Sequence, residues 1–229
     1  MLGVASTPGR CQMKTTAVVI ARGGSTRLPN KNLLSFYGRP LVAHKVWQLK
    51  QTNFIEEVIV ASDSEEILLA AAREGALPLR REARFCDEKS ESWNAVIHDV
   101  VSRLDATTIV WAHCTNPCIR PATYDRALRC FMGTDGDSVV SVTAFHNHVW
   151  WNGRPLNFDP YNGPHEPAAK LAPIYFQNGG IFVARRRDME SWRYVYGKTP
   201  EMFIIDRKEA CDVDTQEDLD LAKEAYKDL

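Results

Sequence analysis

The chain has 229 residues, 45% of them apolar, and carries a formal net charge of −1 with a sequence pI near 6.6. This length allows one large α/β domain. The near-neutral charge excludes a general binder of nucleic acid or of anionic membranes, because those partners require a surplus of basic residues over the whole protein. No stretch approaches the ~20 consecutive apolar residues that cross a bilayer, and residues 1–12 lack the pattern of a signal peptide. We therefore expect a cytoplasmic protein without nucleic-acid or membrane partners.

We assign no functional role to the start of the chain or to the cysteines. We interpret residues 1–12 as an N-terminal extension of a single domain that covers residues 13–229. The six cysteines lack paired C-x-x-C spacing, which favours free thiols over three disulfides. Cys114 and Cys118 lie four residues apart beside His113 and leave a zinc site as an alternative, but nearby prolines place them in a loop.

Strand-length apolar runs alternate along the chain with helix-like segments. The runs that are short and rich in β-branched residues, as buried strands are, occupy residues 16–20, 57–62, 108–113, 138–143 and 179–184. The segments with apolar positions at spacings of three and four, as in amphipathic helices, occupy residues 41–51, 64–75, 92–104 and 122–133. This alternation predicts right-handed crossovers and a largely parallel sheet covered on both faces. Ligands of such sheets bind beyond the carboxyl ends of the strands, which are followed here by residues 21–32, 62–64, 113–120 and 144 onward.

Residues 144–176 interrupt the alternation. They contain five prolines, an N-G-R-P sequence typical of a hairpin turn, and aromatic residues that include Trp150 and Trp151. The segment is too long for an ordinary loop in a compact domain. We expect either a functional segment that packs against another chain or a surface excursion folded back on its own domain.

A glycine-rich basic loop follows the first predicted strand. Residues 21–33 read ARGGSTRLPNKNL and place Arg22, Arg27 and Lys31 within ten positions and without an acidic side chain. Adjacent glycines let backbone N–H groups approach an anion, and the cations offset its charge, so the loop is suited to phosphate. It lacks the spacing of a Walker loop and of G-x-G-x-x-G. A solvated turn with scattered basic residues is the alternative.

Two carboxylates near the other end of the chain favour the phosphate interpretation. Asp212 and Asp214 are two residues apart in an extended segment, so they point to the same side and can share a hard cation such as Mg²⁺. The alternative is a helix start, since Thr215 and Asp218 fit a capping box, and both interpretations can hold together. A basic phosphate loop and a metal-binding carboxylate pair are complementary halves of a nucleotide site.

A series of motifs resembles one family of enzymes. VVIARGGSTRLPNKNL is similar to the opening signature of the acylneuraminate cytidylyltransferases, or CMP-sialic acid synthetases, which is A-R-G-G-S-K followed four residues later by K-N. Its STRLP segment also resembles the 3-deoxy-manno-octulosonate cytidylyltransferases. GRPLVAH, VIVASDSEEI, TNPCIRP, DSVVSV, QNGGIFV and CDVDTQEDL follow in the family's order. The resemblance covers roughly residues 16 to 226 and implies a Rossmann-like nucleotidyltransferase fold with a mainly parallel central sheet and a protruding dimerisation arm over residues 144–176.

The resemblance also implies an activity and its residues. The enzyme would transfer CMP from CTP to an acidic sugar, release pyrophosphate, work as a homodimer, and use Mg²⁺ held by Asp212 and Asp214. The residues implied to be catalytic are Arg22, Lys31 and Asp214. The residues implied to bind the nucleotide are Ala21, Arg22, Gly23, Gly24, Ser25, Arg27, Lys31, Asn32, Arg80, Arg81, Ser90, Thr115 and Asn116. The residues implied to bind the acceptor are His146, Lys170, Gln177 and Asn178.

Departures from the family pattern lie mainly toward the acceptor side. Thr26, beside Arg27, stands where the sialic acid enzymes usually have lysine, and Ala168, near Lys170, stands where a basic residue of the arm typically meets the sugar carboxylate. We therefore expect cytidylyl transfer to a changed acceptor, which is a nonulosonic acid such as a sialic acid or a relative, a 3-deoxy-octulosonate or a small phosphonate. A non-catalytic nucleotide-sugar binder and a transferase for another nucleotide remain as alternatives.

Overall fold

A seven-stranded sheet forms the centre of the computed structural model, which describes residues 14–25, 27–86 and 90–229. The predicted extension 1–12 and Thr26 lie outside the described residues. The strands of this sheet are β1 (Thr15–Ile20), β4 (Glu57–Ser62), β5 (Leu77–Arg80), β6 (Thr108–Ala112), β7 (Ser138–Phe145), β10 (Ile174–Arg185) and β11 (Pro200–Ile204). Two short hairpins pair β2 (Ser35–Phe36) with β3 (Arg39–Pro40) and β8 (Trp150–Trp151) with β9 (Arg154–Pro155).

The sheet has the order β11–β7–β10–β6–β1–β4–β5 and is mainly parallel, which confirms the predicted fold class. β1 pairs in parallel with β4 and β6, β4 with β5, and β7 with β11. β10 is antiparallel to both β6 and β7. It reverses direction because no crossover helix stands between β7 and β10, so the chain returns along the strand that it has just left. The intervening residues leave and re-enter the sheet at the carboxyl end of β7.

Helices flank the sheet at positions close to those predicted. Within the described ranges, the α-helices are α1 (Leu41–Lys50), α2 (Glu65–Arg73), α3 (Trp93–Ser102), α4 (Pro121–Gly133), α5 (Arg186–Trp192) and α6 (Gln216–Lys227). The Ser64 hydroxyl caps α2 by accepting from the backbone N–H of Ile67 at 3.4 Å. Thr215 and Asp218 form both hydrogen bonds of the predicted capping box at the start of α6. Each bond satisfies an N–H group that the helix leaves without a partner.

Alternate residues of β1 face two different layers of helices. Ala17 and Val19 pack with residues of α1, α2 and α4, whereas Val18 packs with residues of α3 and α5, and all three are fully buried. Successive side chains of a strand point to opposite faces, so an uninterrupted apolar run contacts both layers. The sheet is therefore covered on both sides, as the sequence predicted.

The sequence prediction omitted β5, β11 and α5. β5 reads LPLR and β11 reads PEMFI, and these are the two edge strands of the sheet. Most of their residues are exposed or half-buried. An edge strand tolerates proline and polar residues because one side has no strand to pair with, so it lacks the continuous apolar run that identified the inner strands.

The sheet extends into both ends of the 144–176 segment, where Ile174 pairs with Phe145. Inside the segment, the predicted turn joins β8 to β9 with φ values of 48° at Asn152 and 72° at Gly153. These are left-handed values that asparagine and glycine tolerate and that two-residue hairpins require. The predicted hairpin turn is confirmed.

Candidate active site

A cavity of about 600 Å³ opens beyond the carboxyl ends of β1 and β6. The predicted site residues that line it are Arg22, Arg27, Lys31, Asn32, Arg81, Thr115, Asp212 and Asp214. This is the position at which parallel sheets generally bind ligands. The tertiary structure therefore brings the basic loop and the carboxylate pair, from opposite ends of the chain, to one cavity.

Asn32 closes the basic loop on itself. Its Nδ2 donates to the backbone oxygen of Arg22 at 2.8 Å, and its Oδ1 accepts from the thiol of Cys114 at 3.0 Å. Burial raises the pKa of the Cys114 thiol to about 11, so the thiol keeps the proton that it donates at neutral pH. These two bonds fix both ends of the loop, and Arg22 and Lys31 project from a constrained backbone.

The glycines of the loop face the chain segment that follows β4. The Gly23 N–H donates to Oδ1 of Asp63 at 2.9 Å, and Gly24 adopts a left-handed φ of 68°. Ala21 is buried, and Ser25 is half-buried beside the glycines. Phosphate binding by Ala21, Gly23, Gly24 and Ser25 stays a prediction, since none of the four lines the cavity.

Asp214 accepts from two cations of the basic loop. Lys31 Nζ lies 2.8 Å from Oδ1, and Arg27 Nη1 lies 2.7 Å from Oδ2. Burial acts to raise the pKa of Asp214, but the hydrogen bond from Lys31 and the charges of Lys31 and Arg27 outweigh it and hold this pKa below its usual value. The carboxylate is therefore ionised, and its charge is balanced by the cations that the sequence assigned to phosphate.

Asp212 is in a different electrostatic situation. Its side chain is open to the cavity, yet the cavity walls remove enough water to raise its pKa, and the charge of Asp214 raises it further. A hydrogen bond with Thr115 opposes this shift. No cation forms an ion pair with Asp212 within the part of the chain that the structure describes.

The two carboxylates fit a hard divalent cation. They are oxygen donors on one cavity wall, and their mutual repulsion is the interaction that a divalent ion relieves. In the described ranges, no group of three or more His, Cys, Asp or Glu side chains could hold a metal. Cys114 and Cys118 therefore belong to no such group among the described residues, and the zinc alternative has no support. Magnesium usually keeps water and phosphate oxygens beside one or two carboxylates, so two protein ligands suffice.

One wall of the cavity carries aromatic rings that the sequence reasoning missed. Phe85 and Trp93 line it beside the buried Arg81, whose guanidinium donates to the backbone oxygen of Phe85. Trp93 opens α3 directly after its serine cap and is 44% exposed, a position typical of a ring available for stacking. Arg80 points elsewhere and pairs with Glu65 at 2.8 Å. Ser90 is exposed and lies outside the lining of this cavity.

A second cavity, of about 490 Å³, adjoins the first and shares His113 and Asp212 with it. Gln177 and Asn178, two of the predicted acceptor residues, line this second cavity. The other two do not reach it. His146 is exposed and bonds through Nδ1 to the backbone oxygen of Leu171 at 3.0 Å, and Lys170 is exposed within 144–176.

His113 stands where the two cavities meet and was not predicted as a site residue. Its Nε2 accepts from the indole N–H of Trp111 at 3.2 Å, which places the remaining ring proton on Nδ1. Burial, together with the smaller effect of the charges of Lys45 and Lys31, lowers the pKa of His113 to about 4. The ring is therefore neutral at physiological pH and offers a hydrogen-bond donor. The only local signal was its place directly after a buried strand.

Asn116 is fully buried and supports the backbone of the site rather than lining the nucleotide cavity. Its Nδ2 donates to the backbone oxygen of Asn178 at 3.3 Å and to that of Cys211 at 3.2 Å. The backbone of Val213 adds a bond to Thr115 at 2.8 Å. The loop after β6 thus ties β10 to the segment that carries Asp212 and Asp214.

Lys45 lies beneath this loop and makes the stability of the fold depend on pH. The side chain is fully buried and donates to the backbone oxygen of Asn116 at 2.8 Å and to the Tyr124 hydroxyl at 2.7 Å. Burial lowers the pKa of Lys45 to about 7 from the usual 10.5. Between these values the unfolded chain binds more protons than the folded one, so the free energy of unfolding rises with pH across that window.

Lys45→Met is expected to remove this rise while filling a similar volume. Both proteins are unfolded with urea at pH 7, 8, 9 and 10. The free energy of unfolding of the wild type should rise relative to that of the variant by at most about 1.4 kcal/mol per pH unit. Lys50→Met, at an exposed position of the same helix, is the control and should follow the wild type. Parallel curves for wild type and Lys45→Met would contradict the lowered pKa of Lys45.

This chain is similar in sequence and in fold to known proteins. The sequence profile of the family described as cytidylyltransferase matches residues 16–229. Pseudaminic acid cytidylyltransferase from Campylobacter jejuni strain 81-176 is 25% identical over 227 residues, which cover 94% of this chain and 97% of that protein. The CMP-N,N'-diacetyllegionaminic acid synthase of Legionella pneumophila is 28% identical over 219 residues, which cover 89% of this chain and 92% of the relative.

The fold is also found in solved structures. A CMP:2-keto-3-deoxy-manno-octonic acid synthetase complexed with CTP superposes with a TM-score of 0.68 at 21% identity, over 94% of this chain and 99% of the other. Among the described residues, none of the helices has the length and apolar character needed to cross a membrane. The match of the profile to nearly all of the sequence extends the likeness beyond the fold. The chain belongs to the cytidylyltransferase family and is a CTP-dependent cytidylyltransferase.

Proposed function

We propose that this cytidylyltransferase transfers CMP from CTP to a nonulosonic acid, an acidic sugar of the sialic, pseudaminic or legionaminic type, with release of pyrophosphate. The observation that carries the proposal is the cavity in which three loop cations and two carboxylates converge, next to a second cavity that shares His113 and Asp212. Relatives named for pseudaminic acid and N,N'-diacetyllegionaminic acid, which align over nearly their whole length, favour this class of acceptor. A 3-deoxy-octulosonate is the second acceptor class to be tested.

Cytidylyl transfer requires stabilisation of the developing negative charge and does not require a nucleophile from the protein. An acceptor hydroxyl oxygen forms a bond to the α-phosphorus, the bond from that phosphorus to the bridging oxygen breaks, and pyrophosphate leaves with the bonding electrons. The hydroxyl proton is released to solvent. Negative charge therefore grows on the leaving group, and Arg22, Arg27 and Lys31 are the side chains placed to balance it.

Asp212 and Asp214 would hold Mg²⁺. When bound, the ion supplies Lewis-acid stabilisation of phosphate oxygens. The protein's own part is to exchange partners, since Lys31 and Arg27 pair with Asp214 and a triphosphate would take its place. A triphosphate carries more negative charge than one carboxylate and competes for both cations. Nucleotide entry would thereby release the Asp214 oxygens for the metal.

Pyrophosphate release tests this proposal directly. The protein is incubated with Mg²⁺, each of the four nucleoside triphosphates, and in turn pseudaminic acid, N,N'-diacetyllegionaminic acid, N-acetylneuraminic acid, 3-deoxy-manno-octulosonate and a small phosphonate. We expect release with CTP and at least one nonulosonic acid. Preference for the octulosonate or the phosphonate would replace the proposed acceptor, preference for another nucleotide would contradict the cytidylyl assignment, and no release with any pair would indicate a non-catalytic binder.

We further propose that the protein is a homodimer through residues 144–176. Large apolar side chains of this segment are exposed in the single chain, by 57% at Trp150, 67% at Trp151 and 86% at Tyr161. Contact with a second copy would bury them, and aromatic residues are typical of interface cores. Lys170 and His146 lie on the same segment and would then be available to the partner's site.

Sedimentation analysis should give a dimer at micromolar concentration. Trp151→Ser is expected to shift the protein toward monomer, because it removes a ring from the interface and leaves a hydroxyl there. Leu221→Ser, at a 59% exposed position of α6, is the control and should stay dimeric. A wild-type protein that sediments as a monomer at every concentration would refute the dimer.

A further inference from the structure

The second cavity contains a cation that neither the motifs nor the resemblance singled out. Arg207 follows β11 and lines the cavity together with Asn178 and Asp212. His113, also in the lining, is neutral because burial lowers its pKa to about 4. Arg207 is therefore the permanent positive charge among the described residues of this cavity, and Asp212 is its negative counterpart.

The guanidinium of Arg207 is held in place but has its donors uncommitted. Its Cζ lies 4.3 Å from the centroid of the Phe145 ring, so the planar group is supported by an aromatic face. Across the described ranges, its side chain takes part in no ion pair or hydrogen bond. Arg120, by contrast, is bound to Glu209 through two of its nitrogens. A guanidinium supported through its face keeps its N–H edge free for a ligand.

We propose that Arg207 determines specificity by binding the carboxylate of the acceptor, an assignment that rests on the proposed function. A guanidinium matches a carboxylate with two parallel N–H···O bonds, which distinguishes an acid from its neutral analogue. The acceptor's carboxylate must enter a cavity that is already lined by the carboxylate of Asp212. Because the two negative charges repel each other, a cation in the lining of the same cavity is needed to balance them. Lys170 and His146 of the same chain, the other basic candidates, do not line this cavity.

The test compares an acid with its neutral carboxamide in wild-type protein and in Arg207 variants. The acid is whichever sugar acid supports pyrophosphate release, and steady-state constants are measured separately for CTP and for the acceptor. Arg207→Ala and Arg207→Gln should raise the acceptor KM by about 10- to 100-fold, the value of a charge-assisted hydrogen bond, with the CTP KM within about twofold of wild type. Wild-type protein should discriminate against the carboxamide by a similar factor, and both variants should lose that discrimination.

Arg129→Ala provides the matched control. Arg129 also rests on an aromatic ring, with its Cζ 5.1 Å from the centroid of Phe54, but it lies outside both cavities. Its variant should keep the wild-type constants. Undiminished preference for the acid in Arg207→Ala and Arg207→Gln would overturn this inference alone. If the wild-type protein shows no turnover with any of the acids, the proposed function is overturned, and this inference with it.

Discussion

Replacing Asp214 with alanine is expected to lower Mg²⁺-dependent turnover by about a thousandfold or more, because it removes one of the two carboxylates proposed to hold the ion that stabilises the phosphate charge. The same change frees Lys31 and Arg27 in the ligand-free protein. CTP binding without metal should therefore weaken less than turnover. Asp214→Asn keeps the side-chain shape but removes the charge, and its turnover should be lowered as much as that of the alanine variant.

Two measurements separate a metal defect from a folding defect. Calorimetric titration of Mg²⁺ into the CTP-bound protein should lose its binding signal in the Asp214 variants. Thermal unfolding should change little, since the ion pairs of Asp214 lie at the partly exposed cavity wall. Asp220→Ala, at an exposed position of the helix α6 that follows, is the control. Wild-type turnover in Asp214→Ala would remove the metal role of this residue.

Arg120→Ala is expected to destabilise the fold by about 3 kcal/mol, the lower end of the cost of breaking a buried ion pair. Glu209 is fully buried and accepts from Arg120 through Nε at 3.1 Å, Nη2 at 2.7 Å and the backbone N–H at 3.1 Å. Truncation leaves the carboxylate, among the described residues, with the backbone N–H of residue 120 as its donor. Because half of the Arg120 side chain is exposed, solvent reaches the vacated space and keeps the cost at the lower end.

Urea unfolding of single and double variants tests this ion pair. Arg120→Ala combined with Glu209→Gln should be less unstable than Arg120→Ala alone, since the second change removes the buried charge. Lys208→Ala breaks an exposed pair with Asp228 and should leave the midpoint nearly unchanged. An Arg120→Ala midpoint equal to that of Lys208→Ala would refute the buried-pair interpretation.

Arg120 and Glu209 also matter for the position of the segment that carries Asp212 and Asp214. Glu209 precedes the carboxylate pair in the chain and anchors that segment to the start of α4. The bonds of Asn116 to Cys211, and of Val213 to Thr115, anchor it from the other side. The segment is thus fixed by buried contacts on both flanks, and none of them was recognisable in the sequence motif.

The inner strands and most helices could be predicted because their signals are local. A buried strand is a short apolar run, and a helix start is a serine or threonine whose hydroxyl meets an N–H two or three residues on. Ser64 and Thr215 cap their helices as predicted. The edge strands escaped prediction because their exposed residues interrupt the apolar run. The helix α5 escaped because its seven residues are too few to show a repeated apolar spacing.

The sequence by itself determined which chemical groups this protein has for its site: a basic loop after the first strand and a pair of carboxylates before the last helix. Only the tertiary structure decided how these groups meet. Lys31 and Asp214 are separated by 183 residues in the chain, yet their side-chain atoms are 2.8 Å apart. The roles of His113 and Arg207 likewise depend on a cavity whose walls come from distant strands and loops. Local patterns cannot record such contacts, because they form between segments that the chain brings together only when the sheet is complete.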